Sequence, residues 1–322
     1  EMKHQFTDSG ATALVILSDL LPKFDAIKSD TQIKTVVATS ATELLDAATA
    51  PAITGTVSLT DAIKAGADLP GVVRPKTEFE SLAMLQYTGG TTGVSKGAAL
   101  SHKNVMSNSV QMLDHLGGFF KEGEEVVVCP LPLYHIYAFT VCMMALFAKG
   151  SHIVLIPNPR DIDGFIQTLK PHKITAFAGI NTLFVGLGRH PEFAKLDFSK
   201  LHLTMSGGTA LTQGAVSIWK QVTGNTITEG YGLSETAPVV SFNLPGEEEI
   251  GTVGKPIRNV DVKIAEDGEI LIKGPNVMKG YYKRPDANAK TISDGWLHSG
   301  DVAVKDDKGR FYIVDRTKDM II

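Results

Sequence analysis

Residue types able to do chemistry gather in a few short stretches of this chain. The first is Tyr87-Thr88-Gly89-Gly90-Thr91-Thr92-Gly93-Val94-Ser95-Lys96-Gly97. Its glycines let the backbone turn tightly and expose its amides, while hydroxyls and Lys96 add donors and a positive charge. That combination suits a polyphosphate. It is not the Walker loop, which ends in Gly-Lys-Ser/Thr, because Lys96 lies between Ser95 and Gly97. On residue types alone a polar surface loop fits equally well. In Gly230-Tyr231-Gly232-Leu233-Ser234-Glu235-Thr236, flanking glycines would let the Tyr231 ring lie flat against a planar ligand. Glu235 offers a hard oxygen to magnesium and Thr236 a hydroxyl to a phosphate. A packed turn is the plainer reading of the same residues. Ser206-Gly207-Gly208-Thr209-Ala210 reads as a strand-to-helix turn. Trp296-Leu297-His298-Ser299-Gly300-Asp301 ends in a carboxylate that can accept both hydroxyls of a ribose or sit in a solvated turn. His135, in Pro132-Leu133-Tyr134-His135-Ile136-Tyr137-Ala138-Phe139, stands at the mouth of an apolar segment, where a structural histidine is usual. Asp315-Arg316-Thr317-Lys318-Asp319 is, by itself, a charged surface turn.

The elements that must position these groups follow from apolar patterning. Residues 13–17 and 35–38 are short runs with β-branched residues, read as parallel strands. Residues 19–30 read as helix or loop. Residues 47–75 are rich in Ala, Gly, Thr and Pro and read as surface connections, with a short helix at 59–65. From Leu82 strands alternate with helical patterns: strand 82–87, helix 102–116, strand 125–129, helix 137–147 and strand 152–156. Helix 162–169, strand 176–178, helix 181–187, strand 201–205, helix 213–222 and strand 226–228 follow. This alternation predicts an α/β fold with a largely parallel sheet and flanking helices, whose ligands sit at the carboxyl ends of the strands. The texture changes near Pro245. Short runs at 260–264, 269–273 and 311–314, separated by Asp267-Gly268, Gly274-Pro275 and Lys308-Gly309, predict a C-terminal antiparallel sheet or distorted barrel.

Composition narrows the class. The 322 residues, 43% hydrophobic and 20% charged, suffice for about two domains with a sizeable core. A net charge of −4 gives no electrostatic case for nucleic acid. The two cysteines, Cys129 and Cys142, lie in apolar surroundings without metal-like spacing and read as buried thiols of a reducing compartment. The longest apolar run, residues 136–148, is shorter than the roughly 20 residues of a spanning helix, and the first residues carry no signal-peptide pattern. A cytoplasmic location follows, with peripheral contact at the inner face of a membrane and a homodimer left open. The chain opens inside a helical pattern and stops in Met320-Ile321-Ile322, so it reads as a piece of a longer protein.

Taken in order, these motifs resemble adenylate-forming enzymes: acyl-CoA synthetases, luciferases and peptide-synthetase adenylation domains. The Gly89-Gly90 loop, the Leu-Tyr-His segment and Asp-Arg-Thr-Lys-Asp-Met-Ile look most like bacterial long-chain fatty acyl-CoA synthetases. The match runs from Thr88 to Ile322, while residues 1–80 agree weakly. The resemblance implies ATP, Mg²⁺ and coenzyme A as cosubstrates, with a fatty acid as the acyl donor. It implies that Thr88, Gly89, Gly90, Thr91, Thr92, Gly93 and Lys96 surround the phosphates, with Thr88 and Glu235 as metal ligands and Thr236 beside a phosphate. Gly207, Gly208, Thr209, Tyr231 and Gly232 would frame the adenine. Asp301 and Arg316 would take the ribose, and Lys318 would be an interdomain hinge. His135 would lie beside the acyl carboxylate and Phe139 would gate the acyl tunnel. Residues 1–244 would then be an ATP- and acyl-binding subdomain, incomplete at its start, and residues 245–322 a β-rich subdomain ending at the hinge. A small lysine-bearing domain would follow Ile322, so this fragment alone is expected to be inactive or weakly active. Ser95 departs from the proline of many relatives, and Gly89 from their Ser or Thr.

The implied reaction is fatty-acid activation to acyl-AMP and then acyl-CoA. Three alternatives stay open: an acyl-AMP ligase serving another acceptor, a non-catalytic nucleotide-binding module, and, remotely, a P-loop NTPase.

Overall fold

The computed structural model describes residues 1–88 and 94–316, with Arg316 described by its backbone alone. By packing, the chain divides into residues 1–78 with 87–97, and residues 79–86 with 98 onward.

The first unit carries three parallel strands in sequence order: β1 (Ala13–Leu17), β2 (Thr35–Thr39) and β3 (Val57–Ser58). Helices α1 (Met2–Ser9), α2 (Leu21–Asp25) and α3 (Leu59–Ala67) accompany them. Ile16, Leu21, Phe24, Ile33 and Val36 form its core. Ser58 caps α3 by accepting the Asp61 N–H at 3.0 Å, satisfying one of the free amides of the first turn.

The alternating pattern predicts that strand β4 (Leu82–Thr88) joins the large sheet, and the structure corrects this. Strand β4 pairs with β5 (Lys96–Ser101), which has no counterpart in the sequence reading. Pairing with a segment that follows closely in the sequence costs less closure entropy than pairing with a distant strand. Helix α4 (His102–Leu116) follows directly. Ser101 and Asn104 close a reciprocal capping box, Asn104 Oδ1 accepting the Ser101 N–H at 2.8 Å.

The second unit is built on a seven-stranded sheet. It comprises β6 (Val126–Cys129), β7 (His152–Leu155), β8 (Ala176–Gly179), β9 (Leu203–Ser206), β10 (Thr228–Gly232), β11 (Val239–Phe242) and β12 (Lys255–Pro256). Their spatial order is β12-β11-β10-β9-β8-β6-β7. The run from β7 to β10 is parallel, and β11 and β12 add antiparallel at one edge. Strand order reverses at β6, between β7 and β8, so a topological switch point opens at the carboxyl ends of these strands.

Between β6 and β7 lies the expected helix, but residues 138–146 are π-helical, the Phe147 N–H reaching back to the Cys142 carbonyl. Helices α5 (Ile162–Leu169), α6 (Asn181–Gly188) and α7 (Gln213–Thr223) make the remaining crossovers. On this side Trp219, Phe165, Phe177, Phe184 and Phe193 are fully buried, and the Trp219 indole N–H donates to Thr204 Oγ1 at 3.1 Å. Each such ring contributes roughly 1.5–3 kcal/mol by leaving water.

A second, antiparallel sheet follows, as expected. It holds β13 (Asp261–Ile264), β14 (Glu269–Lys273), β15 (Ile292–Ser293), β16 (Trp296–Lys305) and β17 (Phe311–Arg316), with α8 (Pro285–Thr291) before β15. Among the described residues no helix is long and apolar enough to cross a membrane. Both cysteines are buried free thiols.

Candidate functional site

Three of the motif turns leave carboxyl ends of the parallel sheet. The segment bearing His135 follows β6, the Gly207-Gly208 turn follows β9, and Glu235 follows β10. Pairing of Glu229 with Ser206 brings the last two side by side. A Cβ on Gly207 would lie 3.5 Å from the Tyr137 ring and 3.8 Å from the Gly230 carbonyl oxygen. Gly208 has φ +81°, a conformation that favours glycine. The Tyr137 hydroxyl donates to the Met205 carbonyl at 3.1 Å, tying the helix between β6 and β7 to this turn. At the head of that helix, His135 accepts the Tyr137 N–H on Nδ1 at 3.3 Å. Partial desolvation of the imidazole lowers its pKa, favouring the neutral ring. Phe139 is half-buried against the main core.

Tyr231 does not lie in a turn. It sits in β10 at a bulge, where Tyr231 pairs with Ser241 but Gly232 pairs with Val239. The flanking glycines have a packing reason of their own. A Cβ on Gly232 would stand 2.2 Å from the Pro238 carbonyl oxygen, and one on Gly230 2.9 Å from Phe242 Cβ. Both are demanded by the close approach of β11.

The Asp301 motif is also bulged. Between the pairs Leu271–His298 and Glu269–Val302 the register advances two residues on β14 and four on β16. Bulges re-aim side chains, and this one has dedicated supports. Glu269 accepts from the Gly300 N–H at 2.8 Å and bonds His298 Nδ1 at 2.7 Å. Ser299 Oγ accepts the Asp301 N–H at 3.0 Å. Asp301, only 4% exposed, accepts the Tyr231 hydroxyl on Oδ2 at 2.6 Å. Burial, and then the Asp301 charge, push the Tyr231 pKa well up, so the phenol stays a donor. Across the β16–β17 pair, the backbone of Arg316 stands opposite Asp301.

Glu235 is gripped at both ends. Its carbonyl accepts the Met278 N–H at 2.7 Å, and its Oε1 accepts the Tyr281 hydroxyl at 2.6 Å. Thr236 is fully buried, its hydroxyl accepting the Leu233 N–H at 3.0 Å and turned toward the Pro238 carbonyl. It secures the turn that presents Glu235. Asn108 exchanges two bonds with the Val239 backbone, at 2.7 and 3.0 Å, and Asn276 donates to the Thr236 carbonyl at 2.9 Å. Among the described residues no cluster of three or more His, Cys, Asp or Glu could hold a metal. A single half-exposed carboxylate fits magnesium, which keeps several waters and completes its shell with substrate phosphates, and does not fit an all-protein cage.

In the second unit Gly207, Gly208 and Thr209 after β9 adjoin Tyr231, Gly232, Glu235 and Thr236 at the end of β10, and Asp301, inside β16, joins them through its bond with Tyr231. In the first unit, Thr88 Oγ1 donates to the Lys96 carbonyl at 3.4 Å, the Tyr87 hydroxyl donates to Asp8 at 2.8 Å, and His4 bonds the Ser95 carbonyl at 2.8 Å. Gly89, Gly90, Thr91, Thr92, Gly93 and Lys318 lie outside the described residues.

Sequence reading missed Tyr281, Glu269 and Asn276, which hold motif residues, and Asn108, which holds Val239 just beyond the Glu235 turn. It also missed Glu229, the residue before Gly230. Glu229 is 7% exposed; its Oε1 accepts the Leu211 N–H at 2.9 Å, and its Oε2 is buried without a partner. Burial, opposed only by the Leu211 amide, raises its pKa from 4.5 to about 7. The one signal in the sequence is a carboxylate inside a strand that is buried on both faces.

Residues 1–282 match the AMP-binding enzyme family. The chain belongs to that family. Over its whole length this AMP-binding enzyme is 40% identical to a long-chain-fatty-acid–CoA ligase of Escherichia coli O6:H1, and it covers 62% of that protein. Its backbone matches ATP-bound MatB from Rhodopseudomonas palustris with a TM-score of 0.83 at 29% identity, covering 100% of this chain and 62% of that one. An anthranilate CoA ligase, AuaEII, solved with anthranoyl-AMP, shares the fold at 21% identity, with a TM-score of 0.86 and the same coverage of 100% and 62%.

Proposed function

We propose that this chain is the nucleotide- and acyl-binding part of a ligase that activates a long-chain fatty acid. The carboxylate attacks the α-phosphate of ATP, giving acyl-AMP and pyrophosphate; the thiol of coenzyme A then displaces AMP. The observation carrying this reading is the 2.6 Å bond between Tyr231 and Asp301. It joins an aromatic platform suited to adenine to a carboxylate suited to ribose hydroxyls, at strand ends where open α/β sheets bind ligands. A π-helical segment beside that site, a feature frequent at functional positions, supports an acyl pocket on the Phe139 side. The long-chain naming of the Escherichia coli relative supports the substrate class.

On this reading Thr88 to Gly93 and Lys96 surround the phosphates, and Gly207 to Thr209, Tyr231 and Gly232 frame the adenine. Asp301 and Arg316 hold the ribose, and Lys318 is the hinge. Thr88 and Glu235 would hold magnesium, which when bound offsets charge on the phosphates. Thr236 serves the same step by fixing the turn under Glu235 and beside the phosphates. Neutral His135 can lie against the fatty carboxylate without forming an ion pair that would blunt its attack. The protein's main contribution is positioning and electrostatic preorganisation.

The test is pyrophosphate release by the full-length gene product with Mg-ATP and carboxylates from acetate to oleate, with and without coenzyme A. Release that peaks with long chains, with matching thiol loss, is the expected result. Release without thiol loss would redirect the acyl group to another acceptor. No release with any acid would reduce the chain to a nucleotide-binding module.

A further inference from the structure

Tyr281 lies outside every motif that carries the proposed function, yet it touches the proposed metal carboxylate directly. Its hydroxyl stands 2.6 Å from Glu235 Oε1, and the residue is only 8% exposed. The contact is built from the backbone outward. Ala99 N–H donates to the Gly280 carbonyl at 2.9 Å, Lys279 N–H donates to the Ala99 carbonyl at 3.1 Å, and Ala98 forms an antiparallel bridge with Tyr281. On the far side, the Met278 amide holds the Glu235 carbonyl. Asn288 clamps the same segment, accepting the Tyr281 N–H on Oδ1 at 2.6 Å and donating to the Tyr281 carbonyl at 2.9 Å. The ring therefore has little freedom, and the hydroxyl is delivered to one carboxylate oxygen.

We infer that Tyr281 is a positioning residue for the nucleotide-bound metal: its hydroxyl fixes the rotation of the Glu235 carboxylate so that the other oxygen faces the cation. The inference rests on the ATP-dependent reading above and adds a residue to the same site. A carboxylate's terminal torsion is broad and nearly two-fold, so an unheld Glu235 would spread its charge over many orientations.

The test is calorimetric binding of a non-hydrolysable ATP analogue to the full-length protein, with saturating Mg²⁺ and with EDTA. Tyr281→Phe removes only the hydroxyl, and thermal unfolding checks that the variant is folded. Loss of one hydrogen bond to a charged acceptor should weaken metal-dependent binding roughly tenfold and leave binding in EDTA unchanged. Glu235→Gln should abolish the metal dependence, and Tyr281→Phe should add nothing in that background. Equal loss with and without metal would mark Tyr281 as merely structural and overturn the inference. So would a full additive loss in the Glu235→Gln background, or no loss at all. If the unmodified protein shows no metal-dependent nucleotide binding, the ATP-dependent reading falls as well. If it does and Tyr281→Phe matches it, the inference alone falls.

Discussion

The buried carboxyl of Glu229 should make the fold less stable as pH rises, and removing its charge should remove that dependence. Its pKa is raised from 4.5 to about 7 in the folded chain. The unfolded chain therefore loses this proton first, and the folded state binds more protons between the two values. Stability then falls as pH rises from 4.5 towards 7, and the penalty is complete above 7. A difference of about 2.5 units corresponds to roughly 3 kcal/mol at about 1.36 kcal/mol per unit. Glu229→Gln keeps the oxygen that accepts the Leu211 amide and cannot ionise. It places an amide where Oε2 has no partner, a cost that is the same at every pH. The assay is urea unfolding of parent and variant at pH 4.5 and 8. The stability of the parent relative to the variant should drop by about 3 kcal/mol between them. Parallel stabilities at the two pH values would refute the claim that desolvation dominates this group.

Other consequences are equally direct. Asp301→Ala should raise the ATP KM far more than it changes chain-length preference, and Tyr231→Phe should do the same more weakly, by roughly tenfold for one lost bond to a charged acceptor. An unchanged ATP KM in steady-state kinetics would remove Asp301 from the nucleotide site. Gly232→Ala would put a methyl group 2.2 Å from the Pro238 carbonyl oxygen and should cost about 3 kcal/mol or more in denaturant unfolding. Asn108→Ala strips the Val239 N–H of its partner and should cost about 2 kcal/mol in the same assay.

Much of the scaffold was legible because it is written in short-range pattern. Residues 162–169 show the helical period and residues 269–273 are flanked by turn signals, and both form the expected elements. What escaped was set by distant partners. Leu82 to Thr88 reads as one more strand of the parallel sheet, and only its pairing with β5 removes it. Asp301 fits a solvated turn by residue type, yet β14 and β17 hold Trp296 to Lys305 as a bulged strand of ten residues. The site divides in the same way. Tyr231, Glu235 and Asp301 stand out by residue type and motif order. Their supports, Tyr281, Glu269, Asn108 and Asn276, are ordinary residues whose importance comes from tertiary contact alone. The glycines around Tyr231 were noticed for one reason and are required for another, the approach of β11.

The π-helical stretch from Ala138 to Leu146 changes how this protein can diversify. Each residue of an ordinary helix turns the face by about 100°. Deleting one residue here would restore ordinary α-helical spacing and rotate Phe139 and Tyr137 relative to the buried Val141, Cys142 and Ala145 side. Substitution alters one side chain at a time, whereas a single insertion or deletion in this segment re-aims a whole wall and leaves the sheet in place. On the function proposed above, acyl selectivity can therefore evolve by insertion or deletion in this segment, in one step.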